Sequence, residues 1–274
     1  MACSIEIICV GTELLIGKTL NTNAHWLAKR ITSLGGKVSR ITVVRDDVNE
    51  IAFSVKEATR RKPRFLITVG GLGPTFDDKT LEGVAKALRC KLEIDDEALK
   101  MVEGKYHMYV EAGRMEKAEL TPPRVKMAKL PEGSRPLPNP VGTAPGVIIE
   151  REGTTLVALP GVPSEMMAIF EGSVASILRQ AAGDVTFFET SIDVTGVVES
   201  EMAPIIDQVM HDNPYVYIKS HPKGGEVIPK IEFHLSTTAE NSLVARKYIS
   251  KALVQLSDMV LKEGGKIKPV KAET

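Results

Sequence analysis

Short apolar runs alternate with stretches whose apolar residues recur every third or fourth position, beginning at the first residues of the chain. Ser4 to Val10 is an apolar strand, and Ala24, Leu27, Ala28, Ile31 and Leu34 then mark one face of a helix. Asn21 or Asn23 suits its N-cap, and Gly35 and Gly36 suit its end. Val38 to Val44 returns as a strand, and Asp47 with Glu50 forms a capping-box-like start for a helix to about Arg61. Phe65 to Val69 is short, apolar and rich in strand formers, as a strand buried on both faces is. Thr80 to Leu88 carries Leu81, Val84, Ala85 and Leu88 on one helical face. This βαβαβα order predicts an α/β fold: a doubly wound, mostly parallel sheet with helices on both faces, whose ligands collect at the carboxyl ends of the strands.

Asp95 to about Ala112 reads as a helix, and the proline-rich stretch from Thr121 to Pro145 excludes a long helix or a central strand. Val147 to Ile149 and Thr155 to Leu159 are short strands, and a helix runs through Met166, Met167, Ile169 and Phe170. A second unit starts near Asp184. Thr186 to Val198 reads as strand, Glu199 to His211 as helix, Tyr215 to Lys219 and Val227 to Leu235 as strands, and Asn241 to Lys262 as a long helix. That βαββα pattern predicts a small α+β domain. The expected division is residues 1–180 and 184–266.

The charge balance removes several function classes. Lysine plus arginine equals aspartate plus glutamate at 35 each in 274 residues, so no net field attracts nucleic acid or an anionic membrane. Cys3, Cys9 and Cys90 lack metal-like spacing and read as reduced, buried thiols of a cytoplasmic protein. His25, His107, His211 and His234 suggest no ligand set. The basic glycine loop from Lys219 to Gly225 reads as a solvated hairpin turn. Neither a signal segment nor an apolar run long enough for a membrane span is expected.

Candidate chemistry concentrates after the strand at Phe65. Gly70, Gly71 and Gly73 let a ligand approach the main chain, and Asp77 and Asp78 follow where a helix begins. A single aspartate there is explained by capping. Two adjacent carboxylates about 4 Å apart cost roughly 4 kcal/mol near a protein surface, more than the ~0.3 to 2 kcal/mol a helix N-terminus offers an anion. A phosphate in this cradle therefore requires a divalent cation held by Asp77 and Asp78, with magnesium the natural choice and cobalt or manganese as alternatives. The loop from Gly11 to Asn23 follows the first strand and is placed to face this turn: Glu13 to orient water or metal, Lys18 to meet a phosphate oxygen. From residue chemistry alone, the loop from Asn139 to Gly146 reads as a surface connector, and Pro160 to Glu165 as a helix start.

Together these motifs resemble the CinA family, whose N-terminal domain is related to the molybdopterin-binding MoaB and MogA proteins. The resemblance lies in GTELLIG with Asn21 to Asn23, TVGGLGPTFDDKT at Thr68 to Thr80, NPVGTAPG at Asn139 to Gly146 and LPGVPSEM at Leu159 to Met166. It continues through Gly196 to Glu201 and covers nearly the whole chain. It implies a nucleotide or pterin pocket lined also by the proline-rich loop and the Pro160 turn. It further implies metal-dependent hydrolysis of a nucleotide diphosphate such as ADP-ribose, giving AMP and a sugar phosphate.

On that reading the catalytic set is Asp78, Asp77 and Glu13, with Asp77 and Asp78 holding the metal. Gly11, Thr12, Lys18, Asn23, Gly70, Gly71, Gly73 and Thr75 bind substrate, with Gly71, Gly73 and Thr75 as donors to the diphosphate. Asn139, Gly142, Thr143, Ala144, Gly146, Pro160, Gly161 and Pro163 complete the pocket, and Thr80 and Glu82 support the metal's surroundings. The alternatives are molybdopterin binding or adenylylation in molybdenum cofactor biosynthesis, and nucleotide or pterin binding without turnover. Leu72 stands where MogA-type proteins usually have a small hydroxyl residue, which argues against adenylylation. The resemblance also implies a homo-oligomer, dimer or trimer. A further C-terminal amidohydrolase domain of bacterial CinA proteins is not expected in this chain, nor is its deamidation.

Overall fold

The computed structural model describes residues 3–183, 185–223 and 229–270. Its described residues divide into two compact units, 3–32 with 36–182, and 33–35 with 183–270. In the first, the elements run β1 (Ser4–Val10), α1 (Thr12–Leu15), α2 (Thr22–Ser33), β2 (Lys37–Val44), α3 (Val48–Arg60), β3 (Phe65–Val69) and α4 (Thr80–Leu88). They continue as β4 (Leu92–Ile94), α5 (Asp96–Glu111), α6 (Pro122–Lys126), β5 (Lys129–Pro131), β6 (Arg135–Leu137), β7 (Gly146–Arg151), β8 (Thr154–Leu159) and α7 (Pro163–Ile169). A π-helical turn, Phe170–Val174, joins α7 to α8 (Ala175–Ala182).

The main sheet has the order β2-β1-β3-β8-β7-β6. Its first four strands are parallel, and β7 and β6 add antiparallel at one side. This is the α/β, mostly parallel sheet that the alternation predicts. β3 and β8 lie in the interior of the sheet and are buried throughout, which is why their sequences carry no residue more polar than threonine. α3 begins where Asp47 Oδ1 accepts the N–H groups of Asn49 and Glu50, and it packs Ile51 and Val55 onto Ile8, Val10 and Leu66. α2 begins where Asn21 Oδ1 accepts the N–H of Ala24 at 3.1 Å. It is held to the π-helical turn by Trp26, edge-on to Phe170 at 5.6 Å, and by the Arg30–Glu171 ion pair at 2.5 Å.

The second unit runs β9 (Thr186–Thr195), α9 (Glu199–Asp212), β10 (Tyr217–Pro222), β11 (Lys230–Ala239), α10 (Ser242–Lys262) and β12 (Lys266–Pro269). Its antiparallel sheet has the order β10-β11-β9-β12. Strand alternation on β11 puts Ile231, Phe233 and Leu235 on the face that packs against Ile249, Leu256 and Val260 of α10. β12 is a strand beyond the expected βαββα; Lys266-Ile267-Lys268 carries one apolar residue, too little alternation to mark a strand in the sequence. Asp184, Val227 and the glycines at 224 and 225, all part of the sequence expectations, lie outside the described residues.

Candidate functional site

β1, β3 and β8 are parallel neighbours, so the turns that follow them emerge at one end of the sheet. After β3, Gly70 has φ 106 and no room for a side chain: a Cβ there would stand 2.2 Å from the Val10 carbonyl oxygen. Gly71 has φ 66, and its Cβ would stand 2.4 Å from Thr80 Oγ1. The buried Thr80 hydroxyl donates to the Gly70 carbonyl at 2.7 Å, and the Thr80 N–H donates to the Gly71 carbonyl at 3.2 Å. The glycine turn is thereby clamped to the first turn of α4. Among the described residues, the N–H groups of Gly71, Leu72 and Gly73 have no protein acceptor, leaving a row of backbone donors.

That row forms one wall of a cleft of about 380 Å3, within the size range of small-molecule sites. Asp77 and Asp78 line it, as do Glu13, Asp46 and Glu165. The aspartates do not cap α4, whose N-cap is Lys79 and makes no side-chain capping bond. They fold back on Thr75. Its hydroxyl reaches both Asp77 Oδ1 and, at 2.5 Å, Asp78 Oδ2, while its N–H donates to Asp78 Oδ2 at 2.8 Å. One hydroxyl proton serves two carboxylates, so one of those contacts is always short of a proton. Asp77 is held below the ordinary carboxylate pKa by the Thr75 hydroxyl first and its own backbone N–H second, with Lys126 and Lys79 adding to the effect.

The opposite walls come from the other turns. Gly11 leaves space for the Glu13 carboxylate to fold over it, since a Cβ would stand 2.4 Å from Glu13 Oε1. Asp46, at the end of β2, accepts the N–H and hydroxyl of Thr12 at 2.7 and 2.8 Å. Asn139 is 7 % exposed and organises the proline-rich loop. Its amide donates to the Ala144 carbonyl at 2.8 Å and Glu165 Oε2 at 2.7 Å, and its oxygen accepts from the N–H groups of Val141 and Gly142. Gly142 leaves room for the Glu165 carboxylate to lie over the loop, since a Cβ there would stand 2.0 Å from Glu165 Oε2 and displace it.

The structure gathers Glu13, Gly70, Gly71, Gly73, Asp77, Asp78, Thr143, Ala144, Pro160 and Gly161 around one cleft. Asn23 and Pro163 line a smaller adjoining cavity of about 110 Å3 together with Glu13 and Gly161, and the Asn23 amide donates to the Gly161 carbonyl at 2.7 Å. Several expected contacts are replaced by internal ones. Thr75, expected as a donor to a diphosphate, has its hydroxyl and N–H engaged by the aspartates. Thr12 is bound to Asp46, Asn139 is committed to its own loop, and Gly146 packs in the interior against Ile169. Lys18 and Gly11 are not among the residues lining either cavity. Thr80 acts through the glycine turn, while Glu82 lines a small cavity behind it with Lys126 and Lys129.

Two cleft carboxylates escaped the sequence reading. Asp46 sits beside the capping Asp47 and looks like part of the same helix start. Glu165 looks like a dipole-complementing residue of α7. Only the strand order brings them together. No three His, Cys, Asp or Glu side chains among the described residues are placed to hold a metal ion by themselves. The Asp77–Asp78 pair nonetheless suits a hard cation that takes its remaining oxygens from water and a ligand phosphate, as magnesium does.

Comparison with known proteins decides the family. Residues 6–180 match the probable molybdopterin binding domain. The chain belongs to the molybdopterin-binding domain family. Within it the chain is CinA-like: the protein CinA of unknown function from Thermoplasma acidophilum is 43% identical, with a TM-score of 0.58 over 64% of this chain and 98% of that one. A protein of Sulfurisphaera tokodaii is 44% identical over 96% of this chain and 97% of its own length. One of Pyrobaculum aerophilum is 46% identical over 93% of each. Among the described residues no helix is long and apolar enough to cross a membrane.

Proposed function

We propose that the cleft binds a phosphorylated pterin of the molybdopterin class, with a divalent cation between its phosphate and the carboxylates of Asp77 and Asp78. The observation that carries this reading is the pairing of those two carboxylates on a single Thr75 hydroxyl, beside backbone N–H groups that have no protein acceptor. The N–H row suits phosphate oxygens, but the carboxylates lining the cleft repel them. A magnesium ion would neutralise the pair and polarise the phosphate. Asp77 and Asp78 hold the cation, Thr75 fixes their rotamers, and Gly71 to Gly73 orient the phosphate. Leu72 is buried among Ala98, Val102 and Val147 and offers no hydroxyl to the ligand, which favours binding over adenylylation.

The test is calorimetric titration of a phosphorylated pterin in magnesium and in excess chelator, with the wild type and Asp78→Asn. Removing the cation is expected to weaken binding at least tenfold, and Asp78→Asn to weaken it comparably in magnesium while leaving the protein folded. Equal affinity in all four conditions would sink the cation-bridged reading.

A second reading is metal-dependent hydrolysis of a nucleotide diphosphate such as ADP-ribose, and the position of Glu13 on the same cleft as Asp77 and Asp78 favours it. Glu13 would orient the attacking water, and AMP with a sugar phosphate would leave. The same protein samples, given ADP-ribose, FAD or NAD with magnesium or cobalt, separate the readings. AMP that requires metal and disappears in Asp78→Asn supports hydrolysis; intact substrates with tight pterin binding exclude it.

A further inference from the structure

The amino ends of the same parallel strands carry the reverse chemistry. α3 precedes β3 and α4 follows it, so the last turns of both helices return to that end. There a cavity of about 510 Å3 is lined by Lys56, Arg60, Lys62, Arg89 and Arg151, against a single carboxylate, Glu152. Among the described residues Arg60 is paired with Glu57 on its own helix, whereas Lys56, Lys62, Arg89 and Arg151 have no carboxylate partner.

Helix C-termini favour cations, which accounts for charge on α3 and α4. It does not account for Arg151, the last residue of β7, beside the β7–β8 turn. That turn is pinned to the start of β3: the Thr154 hydroxyl donates to the Pro63 carbonyl at 2.8 Å, the Thr155 N–H to the Arg64 carbonyl at 3.0 Å, and Arg64 Nη1 to the Gly153 carbonyl at 3.3 Å. Lys62, Arg89 and Glu152 are also the non-glycine residues with left-handed backbone among those described, at φ 53, 56 and 49, and all of them line this cavity. Glycine would close such turns without strain, so charged side chains are kept here at a conformational cost.

We propose that this cavity is a second binding site, for a compact polyanion carrying two or more phosphate groups. Its volume suits a small molecule, and it shares no lining residue with the acidic cleft. Unlike that cleft, it needs no metal to admit phosphate, because its walls supply the counter-charge.

The test titrates inorganic triphosphate, and ATP in parallel, into the whole chain in chelator at low and high salt. Arg89→Gly and Lys62→Gly retain the left-handed turns and remove one cation each; Arg151→Gln removes the hairpin cation. Each is expected to weaken triphosphate binding about tenfold, high salt to weaken it further, and Asp78→Asn to leave it unchanged. Equal affinity for triphosphate and ATP, or tighter ATP binding that keeps the same variant losses, supports the site. Thermal unfolding confirms that the glycine variants are folded. No binding by the folded wild type, binding indifferent to all three variants, or binding lost in Asp78→Asn overturns the proposal, as does preference for a single-stranded oligonucleotide over triphosphate.

Discussion

The two ends of the parallel sheet are built from the same strands and helices yet are chemical opposites. At the carboxyl end, glycines turn the chain, backbone donors are left over, and carboxylates line the cleft. At the amino end, charged residues take the left-handed turns and cations line the cavity. Helix direction alone explains half of this, because negative side chains suit helix N-termini and positive ones suit C-termini. It does not explain why both ends exceed what the dipoles require. At one end two carboxylates share one hydroxyl, and at the other a cation arrives from a hairpin. Excess charge of either sign costs energy without a partner, and on the proposed readings the cleft takes a cation-bridged phosphate where the basic cavity takes a bare polyphosphate.

That contrast is broken most severely by adding one methyl group. Gly70→Ala places a Cβ 2.2 Å from the Val10 carbonyl in a backbone at φ 106, so the turn must move and pull β1 from β3. A loss of about 3 kcal/mol or more is expected, read as a lower midpoint in urea unfolding. The mirror change, Arg89→Gly, relieves a left-handed residue and is expected to leave stability unchanged or raise it by up to about 1 kcal/mol. If both substitutions cost the same, the two ends do not differ in backbone constraint.

A smaller effect is expected one shell further from the glycines. Asn139→Ala removes the donor to Glu165 and Ala144 and the acceptor for two loop amides, two of these bonds buried and two half-buried. It should cost about 2 kcal/mol and reduce ligand affinity in the cleft by loosening Thr143 and Ala144. Triphosphate binding at the other end should not change. Calorimetry on the one variant with both ligands checks this, and equal losses would mean the ends are coupled.

The fold was legible because buried parallel strands leave a strong mark. Ser4 to Val10 and Phe65 to Val69 are strands with the boundaries their apolar runs suggest. The glycines and paired aspartates were legible too, since no ordinary turn needs that combination. What escaped depends on assembly. Asp46 and Glu165 are ordinary residues of two helix starts until the strand order brings those starts together. Thr75 reads from sequence as a donor to ligand because sequence cannot show that its hydroxyl is already occupied by Asp77 and Asp78. The basic cavity is drawn from segments around Lys56 to Lys62, Arg89 and Arg151, within a chain whose charges cancel, so no window of sequence contains it.

The finest separation of the two ends is by pH. Asp77 has its native pKa depressed, first by the Thr75 hydroxyl and then by its own backbone N–H. A depressed carboxylate stabilises the folded state above its unfolded value of about 4 and loses that contribution as pH falls through the lower native value. Cation-dependent binding in the cleft should therefore persist below the ordinary carboxylate range and fail only as pH falls through the depressed Asp77 value. Thr75→Val removes the hydroxyl that does most to hold Asp77 down, so the failure should move to higher pH. Arginine and lysine stay charged over this range, so triphosphate binding at the amino end should pass through the same window without that step and without response to Thr75→Val. A shared acid midpoint for both ligands, or a cleft midpoint that ignores Thr75, would show that the carboxylate pair does not govern the cleft.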